Sequence, residues 1–159
     1  MSESFAPYGE PGSVKAIVAV ASDHAGYELK EILKAELEQR GHEVVDLGTD
    51  GPESVDYPDF GRAMAEALGD GEGQASCGVM VCGTGIGISI VANRYDHVRA
   101  AVCTNSTMAR LARLHNDANV LALGSRIVGT EVAKDCLACF LETSFEGGRH
   151  ARRVAKLSR

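Results

Sequence analysis

No apolar run in this 159-residue sequence reaches the roughly 20 residues that a membrane-spanning helix needs. Met1 to Gly12 lack the charged-then-apolar pattern of a secretory signal. Cysteines number five, an odd count without framework spacing, which excludes a disulfide-stapled secreted scaffold and points to a reduced, cytoplasmic setting. Basic residues are the minority: 16 Lys and Arg against 22 Asp and Glu leave a formal net charge of −6. That balance argues against nucleic acid or an anionic membrane as the main partner. Five histidines at scattered positions have no metal-ligand spacing, so no metal is expected. Internal repeats, low-complexity tracts and a second domain are also missing. What remains is an ordinary globular profile, 45% hydrophobic and 24% charged, of a length that suits one domain with a single sizeable core.

The stretch from Gly78 to Asn93 organises the chain. Val79, Met80 and Val81 form a short apolar run, as expected of a strand buried on both faces. Gly83, Gly85 and Gly87 follow at alternate positions, and Ile88 to Ala92 can continue as helix. A strand end, a glycine turn and a helix start leave backbone N–H groups without internal partners; with the positive end of the helix dipole they make a site for an anion. Cys82 stands at the mouth of that site. A thiol near a helix N-terminus gives up its proton more readily than an unperturbed one. A thiolate beside a nest of N–H donors can move a proton and hold the resulting oxyanion. Other glycine loops do not fit. A Walker A loop would need Gly-Lys-Ser/Thr where Gly87-Ile88-Ser89 stands, a dinucleotide fingerprint would need glycine at 88, and a phosphatase-type loop would need arginine there. The bland alternative is a tight turn whose glycines only allow close strand–helix packing.

Taken in order, residues 1–13 read as a flexible leader and 14–159 as the domain. Val14 to Ala21 is a strand ending in the polar turn Ser22-Asp23-His24-Ala25-Gly26. Leu29, Ile32, Leu33 and Leu37 fall at helical spacing, and Gly41 closes that helix. Glu43 to Leu47 is a second strand, Pro58 opens a helix through Leu68, and Val98 to Cys103 is a fourth strand. Thr107 to His115 is a helix with Met108, Leu111 and Ala112 inward, Val120 to Leu123 a fifth strand, and about Thr130 to Thr143 a helix. Cys136 and Cys139 share that helix's apolar pattern with Val132 and Phe140 and read as core thiols. Strands alternating with helices imply right-handed crossovers and a parallel sheet, with ligands bound beyond the carboxyl ends of the strands. Asp23, His24, Cys82 and the glycine loop all lie at such ends. Each has a bland reading: Asp23 as a helix N-cap, His24 as a solvated turn residue, His115 as a C-terminal-turn histidine that favours the dipole. Arg126, after Gly124-Ser125, could reach a bound anion or only solvent. Arg149, Arg152, Arg153 and Lys156 share one helical face on an otherwise acidic chain; that face is either solvated or matched to phosphate.

Several motifs together resemble the type B ribose-5-phosphate isomerases: Ser-Asp-His-Ala-Gly at 22–26, Asp-Tyr-Pro at 56–58 and Cys-Gly-Thr-Gly-Ile-Gly at 82–87. Arg-Leu-His-Asn at 113–116, Gly-Ser-Arg at 124–126 and Glu-Gly-Gly-Arg-His at 146–150 continue the match in the family's order, from about Val14 to Val154. The resemblance implies a three-layer α/β/α, Rossmann-like domain with a five-stranded parallel sheet. It implies a homodimer that shares residues across its active sites, with a further pairing into tetramers left open. Its substrate is a phosphosugar, and it uses no cofactor. By position, Cys82 matches the catalytic base, His115 the acid that opens the sugar ring, and Gly83, Thr84, Gly85, Ile86 and Gly87 the anion hole. Thr84 is a further candidate for moving a proton between the two oxygens. Asp23, His24 and Asn116 match sugar- or phosphate-contacting positions, Tyr57 a pocket wall, and Arg126, Arg149 and Arg153 the binding arginines. Members with serine at the position of Cys82 use a nearby glutamate; here Ile86 and Ile88 stand in that region, so Cys82 is the base of choice. The family also includes galactose- and allose-6-phosphate isomerases. From another class, a non-catalytic phosphosugar or flavin-mononucleotide module would keep the loop and the arginines without needing Cys82 or His115.

Overall fold

The structure is a computed structural model that describes residues 15–158; the expected leader lies outside the described residues. Strands and helices alternate from β1 (Ile17–Ser22) through α1 (Tyr27–Gln39), β2 (Glu43–Asp46), α2 (Tyr57–Ala67), β3 (Cys77–Cys82) and α3 (Ile86–Ala92). The order continues with β4 (Ala100–Val102), α4 (Ser106–Asn116), β5 (Val120–Gly124), α5 (Thr130–Glu142) and α6 (Arg149–Val154). Every strand pairing is parallel, and the sheet order is β2-β1-β3-β5-β4. Period-two alternation divides the sheet's side chains between two apolar layers. Val18, Val20, Val79, Val81, Leu121 and Leu123 meet α1, α4 and α5 through residues such as Leu33, Ala109 and Leu137. Ala19, Ala21, Met80, Cys82 and Ala122 meet α2 and α3 through Met64, Ala65, Ile88 and Ala92. This is the expected three-layer α/β/α domain with a five-stranded parallel sheet.

Several expected details shift, each for a local reason. β4 spans three residues, not the six from Val98 to Cys103. It is an edge strand, and side chains take the amides at its start: Arg99 N–H donates to Asn119 Oδ1 at 2.7 Å and Ala100 N–H to Asn93 Oδ1 at 2.7 Å. In α4 the inward face is Ala109, Ala112 and Arg113, while Met108 is 42% exposed. Arg113 is buried because its guanidinium finds oxygens: Nε donates to Thr143 O at 3.1 Å, and Nη1 to Ala118 O at 2.6 Å and Asp117 Oδ1 at 3.1 Å. Those contacts fasten the end of α4 to the end of α5 and to the approach of β5. In α5, Ala133, Cys136, Leu137, Phe140 and Leu141 turn inward and Val132 outward. All five cysteines are free thiols, and burial pushes Cys136 up to about 11, as fits a core residue rather than a redox pair. Asp23 is not the N-cap of α1, a place taken by Gly26; its Oδ1 instead accepts the Gly26 N–H at 3.1 Å and closes the turn before the helix.

His42 lies at the turn from α1 into β2, just after Gly41 (φ +87). It is buried, and neither ring nitrogen has a hydrogen-bond partner among the described residues. Burial, and then the nearby Arg40, hold its imidazole below the ordinary 6.5. The folded chain therefore takes this proton less readily than the unfolded chain, so stability is full above about 6.5 and falls as pH drops below it. Denaturant unfolding from about pH 7.5 to about 5 should show a decline that His42→Phe makes shallower. Equal slopes for both proteins would remove His42 from that decline.

Candidate active site

The carboxyl ends of β1, β3 and β5 lie side by side, with Ser22 beside Val81 and Cys82 beside Gly124. The loops that leave them are tied together by backbone bonds. Asp23 N–H donates to Val81 O at 3.3 Å, Ser125 N–H to Cys82 O at 2.9 Å and Arg126 N–H to Gly83 O at 3.0 Å. Ser125 Oγ donates to Ala25 O at 2.7 Å and closes the ring of loops. Cys82 sits at their centre, 4% exposed, its side chain on the α2–α3 side of the sheet. Its Sγ accepts the Gly85 N–H at 3.0 Å, and Ile86 N–H donates to Thr84 Oγ1 at 3.2 Å. The amides of Gly83 and Thr84 have no intramolecular partner among the described residues. Gly85 is the N-cap of α3 in the left-handed region, φ +80, so the helix begins at Ile86 and Gly87 lies within it rather than in the turn. A Cβ on Gly85 would come within 3.0 Å of the Leu123 backbone, and one on Gly124 within 2.6 Å of Thr84.

The other expected residues of this edge gather around the turn. His24 Nδ1 accepts the Val55 N–H at 3.2 Å, which draws in the segment leading to α2. Tyr57 opens α2 and lays its ring over Gly87, where a Cβ would stand 2.7 Å from the ring. The exposed guanidinium of Arg126 lies over Gly83, with Nη1 3.3 Å from the place of a Cβ.

His115, Asn116, Arg149 and Arg153 are elsewhere. α4 leaves the carboxyl end of β4 and returns the chain to the amino end of β5, so its last turn lies at the opposite edge of the sheet from Cys82. Eleven helical residues cover roughly 16 Å. There α6 packs on α4, and His115, Asn116, His150, Arg153, Val154 and Leu157 line a cavity of ≈ 220 Å³. Arg149, Arg152 and Arg153 share this short helix, and Lys156 follows it.

Histidine spacing along the chain missed one grouping: ligand atoms of His115, Glu146 and His150 lie within 4.8 Å of one another. The two rings are stacked, 13° from parallel with centroids 4.3 Å apart. Imidazole lone pairs lie in the ring plane, so two stacked planes cannot converge on one ion as they stand. Arg153 on the same wall also disfavours a cation.

A thiol held among strand-end amides, with a guanidinium over the turn, makes an arrangement that can accommodate an anionic group, set on a parallel α/β sheet. The chain belongs to the Ribose/Galactose Isomerase family, whose model matches residues 18–157, and it is an isomerase. It is 45% identical to ribose-5-phosphate isomerase B of Escherichia coli over 141 residues, 89% of this chain and 93% of that protein. It is similar to the structure of Clostridium thermocellum ribose-5-phosphate isomerase B, with a TM-score of 0.86, 55% identity and coverage of 89% and 94% of the two chains. A Mycoplasma genitalium ribose-5-phosphate isomerase B structure with bound ribulose 5-phosphate matches at a TM-score of 0.84 and 39% identity, over 89% and 93%. Family membership sets aside the non-catalytic and flavin-binding readings.

Gly85→Ala tests whether the turn's shape serves chemistry. A left-handed alanine costs about 1–2 kcal/mol, and its methyl presses on the Leu123 backbone. Turnover should fall at least tenfold, a part of the roughly 10²–10³ that one lost amide donor costs, while the fold persists. Unchanged kcat in a folded variant would assign the turn to packing alone.

Proposed function

We propose that this enzyme interconverts ribose 5-phosphate and ribulose 5-phosphate through an enediolate, in the cytoplasm and without a cofactor. The observation that carries the reading is Cys82 Sγ at the end of β3, receiving the Gly85 N–H at 3.0 Å inside the glycine turn. The ring form opens first: the C1–ring-oxygen bond breaks as His115 gives a proton to the ring oxygen, and the C1 hydroxyl gives its proton to water to leave the carbonyl. Cys82 thiolate then takes the proton from C2, and negative charge moves to the carbonyl oxygen. Amides of the 83–87 segment stabilise that charge; losing one such donor typically costs about 2.7–4 kcal/mol of barrier. The proton returns at C1, with Thr84 assisting transfer between the two oxygens. Asp23, His24, Tyr57 and Asn116 hold the sugar, and Arg126, Arg149 and Arg153 the phosphate, for which the guanidinium fork is well matched.

The base and the acid occupy opposite edges of one sheet, so a single chain cannot close both on one sugar. A homodimer in which each protomer's α4–α6 end meets its partner's β1–β3–β5 loops would complete two sites. Ribose 5-phosphate is favoured by the names of the relatives and by the ribulose 5-phosphate bound in the Mycoplasma genitalium structure. The family's description also covers galactose, so a panel of ribose 5-phosphate, allose 6-phosphate and galactose 6-phosphate, scored for ketose formed, tests the substrate. A preference for a hexose phosphate would overturn the pentose assignment.

Cys82→Ala separates the chemistry from binding. Thr84 and Ser89 are hydroxyls with pKa values far too high to replace the thiolate, and Ile86 and Ile88 are inert. A general base of this kind supplies on the order of 10²–10⁴-fold, so turnover should drop by at least that much with phosphosugar affinity close to normal. Isomerisation within about tenfold of wild type would show the mechanism to be wrong.

Shared sites have their own test. Mixing inactive Cys82→Ala and His115→Ala homodimers should restore activity on subunit exchange, because a mixed dimer holds one intact site. Continued inactivity after verified exchange would place both residues in one subunit.

A further inference from the structure

The segment between α5 and α6 is built around the last turn of α4. Glu146 N–H donates to Leu114 O at 3.1 Å, which fixes the segment beside His115. Gly147 (φ +70) and Gly148 (φ +54) then reverse the chain in conformations that disfavour other residues, so that His150 arrives against the His115 ring. The rings stack at 4.3 Å, and Glu146 Oε2 lies 3.8 Å from His115 Nε2 and 3.7 Å from His150 Nε2. His150 is 5% exposed, and its Nε2 has no hydrogen-bond partner among the described residues. The His115 side chain, 38% exposed, is the open member of the pair and faces the cavity with Asn116 and Arg153. Burial, then His115, Arg149 and Arg153, hold His150 below the ordinary histidine range, with Glu146 pulling the other way.

We propose that Glu146 and His150 are positioning residues for His115: the stacked His150 ring fixes the plane of the acid's imidazole, and Glu146 sets a carboxylate beside the ring that gives its proton to the sugar. This rests on the reading of His115 as the ring-opening acid. Neither residue reaches the reacting atoms; both act through His115. The arrangement also explains why a glutamate and a histidine four positions apart need two glycines between them. An ordinary helix would leave both side chains on one face without turning the second ring under α4.

A double-mutant cycle on the full-length enzyme with ribose 5-phosphate tests this. Glu146→Gln should lower kcat about tenfold with KM within about threefold, a part of the 10²–10⁴ that a general acid supplies. In a His115→Asn background the same substitution should change kcat less than about twofold, because the group it serves is gone. The full tenfold loss in both backgrounds, or none in wild type, would overturn the role of Glu146. His150→Phe retains a stacking ring and should hold kcat near wild type, whereas His150→Ala should lose about as much as Glu146→Gln. Equal losses in two folded His150 variants would overturn the role of the stack. Should His150→Ala fail to fold, the His150→Phe result decides alone: wild-type kcat supports the stack and a tenfold loss overturns it. If His115→Asn by itself leaves turnover unchanged, the acid assignment fails first, and that outcome is distinct from the others.

Discussion

The close approach of three backbones at the carboxyl edge of the sheet governs this molecule. Gly26 sits against the Val81 carbonyl, Gly124 against Thr84, and Gly85 against Leu123. A methyl group at any of them would meet main chain, which unlike a flexible side chain cannot step aside. Because those contacts leave no slack, the hydrogen bonds from Asp23, Ser125 and Arg126 can join the three loops into one rim. That rim holds the Cys82 thiol and the amides of the turn in fixed relation, so little ordering remains for the moment of reaction. The apolar layers above and below, from Met64 and Ile88 on one side and Leu33 and Leu137 on the other, keep the strand ends from sliding apart.

Much of this was legible in the sequence because its physics is local. Apolar runs of four to six residues, glycines at strand ends and helical spacing gave the elements and their parallel pairing. Where the reading slipped, a non-local partner decided. Met108 has core spacing, but Arg113 takes the inward place because Thr143 O, thirty residues on, and Ala118 O just past the helix end accept from its guanidinium. Val98 and Arg99 looked like strand, yet the side chains of Asn93 and Asn119 took the amides at that edge. Asp23, for which a cap is the bland alternative, closes a turn one step earlier. The turn at 82–87 was visible as chemistry because thiol, glycines and helix start are contiguous. The grouping of His115, Glu146 and His150 was not, since nothing in a one-dimensional pattern says that α6 folds back on α4. The paired glycines at 147 and 148, between a glutamate and a histidine, were the one available signal.

Charge is distributed in the same divided way. The chain carries a net −6, yet α6 and its extension hold Arg149, Arg152, Arg153 and Lys156. A local cationic patch on an anionic body concentrates anions at one place while the remaining surface repels them. That patch shares its end of the molecule with His115 and Asn116, and Arg126 lies with Cys82 at the other end. His115 with Arg149 and Arg153 thus sits on one edge, and Cys82 with Arg126 on the other.

This division has a physical consequence for catalysis. With Cys82 as the proposed base and His115 as the proposed acid, a thiolate and an imidazolium side by side would attract one another, and passage of the imidazolium proton to the thiolate would disarm both. Their places on opposite edges keep the two apart within one chain. In the proposed homodimer the two would face one another across the bound sugar, whose C2 and ring oxygen would lie between them. On this view the sheet acts as a spacer as well as a scaffold. The αβ crossover through α4 carries His115 from the carboxyl end of β4 to the amino end of β5 and so holds it away from Cys82 within one chain.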